Sequence, residues 1–349
     1  MVKTKKILAL VISNVVIVGG ILSGCSGTSA PETKGGDQSV EAAADEKNAV
    51  KADGDEAFLS MGTSSSGGTF NTLGVALCQV WNDKLPGTSF TAEVTVGSSE
   101  NCLRVGTDDI QLAFSAASSV YEAVNGIGQF EGKQVEGLRV IANLYPAIIQ
   151  IPVLKDSGIN SIDDIVGKKV NIGEAGSGSE SQAMGILDCF GISKSDFNAQ
   201  QLSHSNASDA VVDEKIDGYI ISGSLGQSHQ MKAMASGKCK LADLGSDEEI
   251  QNVINRLPYY YEYTIPSGTY PNQESDVKTV ATGTLLIVNE SISDDLVYEI
   301  TKNLFENVDT LVQSQDIAKE ITLESGINVS GLPLHPGAER YYKEKGVLK

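Results

Sequence analysis

Apolar residues at Phe70, Leu73, Leu77, Val80 and Trp81 recur every three or four positions, the spacing of a helix with one buried face. Thr69 stands where that helix would be capped. The pattern then changes period. Residues 90–96 alternate as a strand does, a short polar helix start follows at Ser98, and 109–115 read as another strand. Ser119 and Glu122 have capping-box spacing and predict a further helix. Strands that alternate with helices through short links predict parallel βαβ units, whose ligands sit beyond the carboxyl ends of the strands.

The alternation pauses at 138–154, an apolar run broken by Tyr145-Pro146 and Pro152. It reads as one extended segment carrying the chain from a first lobe to a second. Beyond it the pattern predicts a short helix at 161–165, a strand at 169–173, a helix at 207–214 and a strand at 217–223. The tyrosines of 258–266 read as strand and interlobe packing. A strand at 280–289 and a long amphipathic helix at 294–312 return to the first lobe, and the Leu334–Tyr342 region reads as packing. Expected boundaries are 57–149 with 267–349 for lobe one and 150–266 for lobe two. Two crossings of this kind imply an α/β chain with hinged lobes and a central cleft.

Candidate chemistry gathers at the helix starts. Ser65, Ser66, Gly67, Gly68, Thr69 and Phe70 open the first helix, Ser98 and Asn101 open the second, and Ser177, Gly178 and Ser179 open a third, where Ser179 and Gln182 have capping-box spacing. First-turn N–H groups lack intrahelical partners and carry the positive end of the macrodipole, so they hold a carboxylate or phosphate without Lys or Arg. Ser115 and the pair Ser222-Gly223 end strands toward the same edge. The arginines lie in none of these loops, so no Arg clamp on the ligand is expected.

Composition narrows the partners. A net charge of −19 over 349 residues argues against nucleic acid and against anionic membrane surfaces. Lys3, Lys5 and Lys6 precede an apolar run at 7–22 and then Leu22-Ser23-Gly24-Cys25. This predicts a signal peptide over 1–24, and its end resembles the bacterial lipoprotein box, with Cys25 lipidated and the chain anchored to the outer face of the cell membrane. Residues 25–56 are acidic, small and polar, the composition of a disordered linker.

Cys78, Cys102, Cys189 and Cys239 lack metal-like spacing and read as buried free thiols. His204, His229 and His335 are scattered singly, so neither a metal nor a cofactor is expected. The first loop lacks the Lys-Ser/Thr of a phosphate-binding P-loop, and no Gly-x-Ser-x-Gly turn occurs. Asp108-Asp109 and Asp163-Asp164 read as turn and helix-start residues. Binding, not catalysis, is the expectation.

From about residue 58 onward the chain resembles the TAXI-type solute-binding proteins of the TRAP (tripartite ATP-independent periplasmic) transporters. The resemblance rests on Gly62-Thr63 with Gly67-Gly68-Thr69, Gly97-Ser98-Ser99-Glu100-Asn101, Leu144-Tyr145-Pro146 and Gly176-Ser177-Gly178-Ser179, and on 265–271 and 334–338. The chain departs from the family in having Ser64, Ser65 and Ser66 in place of glycines and Phe70-Asn71-Thr72 in place of Tyr-Tyr-Pro. Its 222–227 loop also lacks a proline.

The resemblance implies a two-lobed periplasmic-binding-protein-like fold, type II-like. Such a protein closes on a small organic anion, glutamate-like or a dicarboxylate or keto acid, and hands it to the TRAP permease subunits in the membrane. It places Tyr145 with the helix starts among the expected ligand contacts. A surface sensor or adhesin using the same fold without transport is the alternative.

Overall fold

A computed structural model describes residues 57–349. The signal peptide, Cys25 and the acidic linker lie outside the described residues. No helix among the described residues is long and apolar enough to cross a membrane.

The chain opens with β1 (Ala57–Gly62), α1 (Thr69–Lys84), β2 (Thr88–Glu93), α2 (Ser98–Gly106), β3 (Leu112–Ala116) and α3 (Ala117–Asn125). Then come β4 (Leu138–Gln150), β5 (Pro152–Leu154), β6 (Lys169–Asn171), α4 (Gly178–Cys189), β7 (Asn198–Gln200) and α5 (His204–Val212). Next are β8 (Gly218–Tyr219), β9 (Ile221–Gly223), α6 (Ser228–Ala235), β10 (Cys239–Leu241), α7 (Asp247–Arg256) and β11 (Tyr261–Ile265). The chain ends with β12 (Val277–Asn289), α8 (Asp294–Glu306), α9 (Val308–Ser314), α10 (Leu323–Gly326) and α11 (Pro336–Glu344).

Two sheets organise these elements into two lobes. The larger has the order β2-β1-β3-β12-β4-β9, with β11 also paired to β12, and the smaller has the order β10-β5-β8-β6-β7. As the parallel βαβ reading requires, β1 runs parallel to β2 and β3, and β6 runs parallel to β7 and β8. The 138–154 run does pass from one sheet to the other, as β4 and then β5, with the change at Ile151.

The strand expected at 217–223 instead divides at Ile220. Its first part, β8, joins the small sheet, and its second, β9, pairs antiparallel with β4. Hence β9 and β11, inside the span 150–266, hydrogen-bond into the larger sheet. The expected helix at 294–312 is also two helices, because Asn307 at φ −123° and ψ 22° leaves helical geometry between them.

Each sheet has its own apolar core. In the first lobe Trp81 is fully buried and donates its indole N–H to the Ile300 carbonyl at 3.2 Å, while Tyr341 and Tyr342 fill the space beneath α8. Burying each such side chain is worth about 1.5–3 kcal/mol relative to exposure. In the second lobe Ile162, Ile165, Ile186 and Leu187 pack around β6.

His335 caps α11. Its Nδ1 accepts from the Gly337 amide at 3.1 Å, so Nε2 carries the proton and donates to the Ile292 carbonyl at 3.0 Å. The 334–342 segment is therefore packing, as the sequence suggested. Cys78, Cys102 and Cys239 are buried free thiols, whereas Cys189 is only half-buried. Burial pushes the Cys78 and Cys102 thiols up to about 12.

Candidate functional site

The N-termini of α1, α2 and α4 open onto one cleft between the lobes, enclosing about 730 Å³ with its mouth included. The caps differ from the expected ones. Gly68, not Thr69, is the N-cap of α1, and Gly97 precedes Ser98 in α2. Ser177, not Ser179, caps α4 and accepts the Glu180 amide at 3.2 Å. Ala116 precedes α3, which places Ser119 and Glu122 inside that helix. Small polar residues cluster at all these starts, so spacing alone does not select which of them caps.

Freed from capping, the Thr69 hydroxyl lies 2.9 Å from Ser224 Oγ and accepts from Gln227 Nε2 at 3.0 Å. Phe70 forms part of the wall, its ring 5.2 Å from that of Phe114. At the opposite rim the lobes nearly touch. A Cβ on Gly178 would sit 2.7 Å from Ser98 Cβ, so the two helix starts can approach this closely only because position 178 has no side chain.

Of the residues singled out from sequence, Ser65, Gly68, Thr69, Phe70, Ser98, Tyr145, Ser177, Gly178, Ser179, Ser222 and Gly223 line the cleft. Ser66 and Gly67 instead face an adjoining cavity with Ser203, His229 and Lys232. Asn101 lies behind the wall, fully buried, donating to the Thr63 and Phe114 carbonyls at 2.8 and 2.7 Å. Ser115 is likewise buried, with its hydroxyl against Cys102 Sγ and the Ala116 carbonyl. Both support the cleft without reaching it.

Thr284, Gln227, Ser224, His204 and Glu174 also line the cleft and were not among the expected contacts, although Glu174 lies in the third helix-start loop and Ser224 and Gln227 in the 222–227 loop. Thr284 and Tyr145 are cross-strand partners on β12 and β4, and their buried hydroxyls have no hydrogen-bond partner among the described residues. Gln182 reaches across the seam, donating from Nε2 to Ser118 Oγ at 2.9 Å, while its Oε1 has no partner among the described residues. Buried polar atoms of this kind are ordinarily satisfied.

Ser179 Oγ lies 2.9 Å from His204 Nε2, and the His204 and His229 rings pack with centroids 5.6 Å apart, so these histidines are not isolated. Burial lowers His204 to about 3, helped by the charge of His229, and lowers His229 to about 4. Both rings are neutral at physiological pH. Among the described residues no carboxylate hydrogen-bonds either ring, and no cluster of His, Cys, Asp and Glu could hold a metal.

The charge pattern is one-sided. Among the described residues Glu174 is the only formally charged side chain lining the cleft. Arg104, Arg139, Arg256 and Arg340 are paired at the surface with Glu93 and Asp109, Glu290, Asp188 and Asp295. Negative charge in the cleft would therefore meet helix N-termini, hydroxyls and side-chain amides, and no Lys or Arg among the described residues.

Two sheets joined by crossing strands, with helix starts turned into the space between them, make this the fold of two-lobed periplasmic binding proteins. A binding protein component of an ABC phosphonate transporter from Pseudomonas aeruginosa matches at TM-score 0.53 and 12% identity, covering 76% of this chain and 80% of that one. A Xanthomonas citri protein bound to ATP matches at 0.52 and 12%, covering 83% and 97%. MatC from Rhodopseudomonas palustris, with bound malate, matches at 0.51 and 12%, covering 75% and 88%. At such identities the likeness establishes the fold. Residues 61–346 match the NMT1-like family, and the chain belongs to it.

Proposed function

We propose that this chain is an extracytoplasmic receptor for a small organic anion, of the TAXI type, lipid-anchored through Cys25 and delivering its solute to a TRAP permease. One observation carries the binding reading. Helix N-termini from both lobes, α1 and α2 from one and α4 from the other, converge on a cleft where the buried Tyr145 and Thr284 hydroxyls lack partners. The amides and dipoles supply what an anion needs, and the hydroxyls supply donors that a bound solute would satisfy. Closing the lobes around the solute adds contacts absent from an open form, and these drive the shift toward closure.

Among glutamate-like, dicarboxylate and keto-acid solutes, Glu174 favours the first. A bare dicarboxylate would add charge beside an unpaired carboxylate, whereas an ammonium group offsets it and donates to Gln182 Oε1 and Gln227 Oε1, which have no other partner.

The test is calorimetry and thermal shift on the full-length chain in detergent with a panel of amino acids, keto acids, dicarboxylates, sugars and phosphates. A solute at a hundred times its dissociation constant stabilises the fold by about 2.7 kcal/mol. A response limited to small carboxylates supports the receptor reading, and a folded, ligand-free protein unresponsive to the panel overturns it. Loss of ATP-independent uptake of that solute in cells lacking this chain tests the delivery step.

A further inference from the structure

The seam between the lobes holds a buried carboxylate that solute capture does not use. Glu122, on α3 of the first lobe, is 6% exposed. Its carboxylate accepts from Ser181 Oγ on α4 at 2.8 Å and from the Tyr259 hydroxyl at 3.2 Å. Both donors belong to the second lobe, where Tyr259 packs in the core with Ile186, Leu187 and Ile250, and α4 supplies two of those residues.

One turn before Glu122, Ser118 receives Gln182 Nε2, so successive turns of α3 and neighbouring residues of α4 are joined. The first lobe shapes the pocket from its own side. Gly128, at φ +58°, lies so close that a Cβ would stand 2.8 Å from the carboxyl carbon. Among the described residues no cation pairs with it, and burial raises the carboxyl above its ordinary range.

We propose that Glu122 is a latch between the lobes, holding a closed population together before any solute arrives. A buried carboxylate without a cation must be held by donors, and hydrogen bonds to an ionised acceptor are about twice as strong as neutral ones. Here the side-chain donors come from the other lobe, so closure completes the site. Opening returns the carboxylate and both hydroxyls to water, which solvates them well. Beside the carboxylate, Tyr121 of α3 packs its ring 5.3 Å from that of Tyr259, an aromatic contact that must also part on opening. The polar part of the seam, which water can replace, limits what opening costs, as a switching receptor requires. The latch is independent of which solute is bound.

Hydrogen exchange on the full-length chain without added solute tests it. In Glu122→Ala the amides of 181–184 are expected to exchange about tenfold faster than in wild type, while those of β12 keep their protection. Ser181→Ala is expected to act in the same direction, and Glu122→Gln, which keeps the shape and one acceptor oxygen but loses the charge, is expected to fall between wild type and Glu122→Ala. Unchanged exchange in α4 across all the variants overturns the proposal. Equal acceleration in α4 and β12 overturns it too, since Glu122 would then support the whole fold and not the seam.

Discussion

Thr69 Oγ1 and Ser224 Oγ lie 2.9 Å apart, joining the first turn of α1 to the loop that follows β9. Thr69 is the first helical residue, and proline is sterically welcome there. Thr69→Pro therefore removes one cleft amide and the hydroxyl link while leaving the helix standing. A solute affinity about tenfold weaker is expected by calorimetry, on the scale of about 1–1.5 kcal/mol for a lost hydrogen bond. Wild-type affinity would remove the first loop from the site.

Gly178→Ala probes closure. The backbone tolerates alanine, which also has the higher helix propensity, so the melting temperature is expected to stay within a few degrees of wild type. The new methyl would stand 2.7 Å from Ser98 Cβ. Affinity is therefore expected to fall more than tenfold, and tight binding by this variant would show that the lobes need not approach at that point.

Glu174→Gln addresses selectivity. The amine-bearing solute is expected to bind about three- to tenfold more weakly, and its 2-oxo counterpart to bind more tightly, in paired calorimetric titrations. Equal preference in both proteins would show that the Glu174 charge does not reach the ligand.

Acid sensitivity follows from the half-buried histidines. His204 at about 3 and His229 at about 4 lie below the ordinary 6.5, so between pH 6.5 and 4 the unfolded chain takes up protons that the folded chain refuses. Their stabilising contribution is present above pH 6.5 and is lost as pH falls. By pH 5 the loss approaches about 2 kcal/mol per ring. Glu122, raised by burial, acts with the opposite sign, because a folded state that holds the proton more tightly gains stability on acidification. Melting temperatures across this range should therefore fall in wild type and fall less in the His204→Asn, His229→Asn double variant. Parallel curves would contradict the assignment.

Much of the architecture is legible in the chain because strand and helix periods alternate cleanly around 57–125 and 169–212. The crossing at 138–154 is visible for the same reason, since prolines punctuate a long apolar run. What escapes is local choice and tertiary encounter. Gly68 and Ser177 hold the caps, while Thr69 and Ser179 find partners in Ser224 and His204, far away in sequence. Thr284 carries no signal, being one of three threonines along β12 with nothing in the spacing to single it out. The division of 217–223 at Ile220 is equally silent, because Gly218-Tyr219 and Ile221-Ser222-Gly223 are sorted only by which sheet edge each one meets.

The position of β12 has a consequence for biogenesis. It lies between β3 and β4, yet it is the last strand in the chain to be made. Until residue 289 has emerged, the larger sheet has a gap through its middle, with β3 and β4 exposing unpaired backbone toward each other. The first lobe is thus not a unit that matures ahead of the second during synthesis. A nascent or truncated chain ending before 277 is an aggregation hazard, and the two lobes are one inheritance that cannot be divided into separately folding halves.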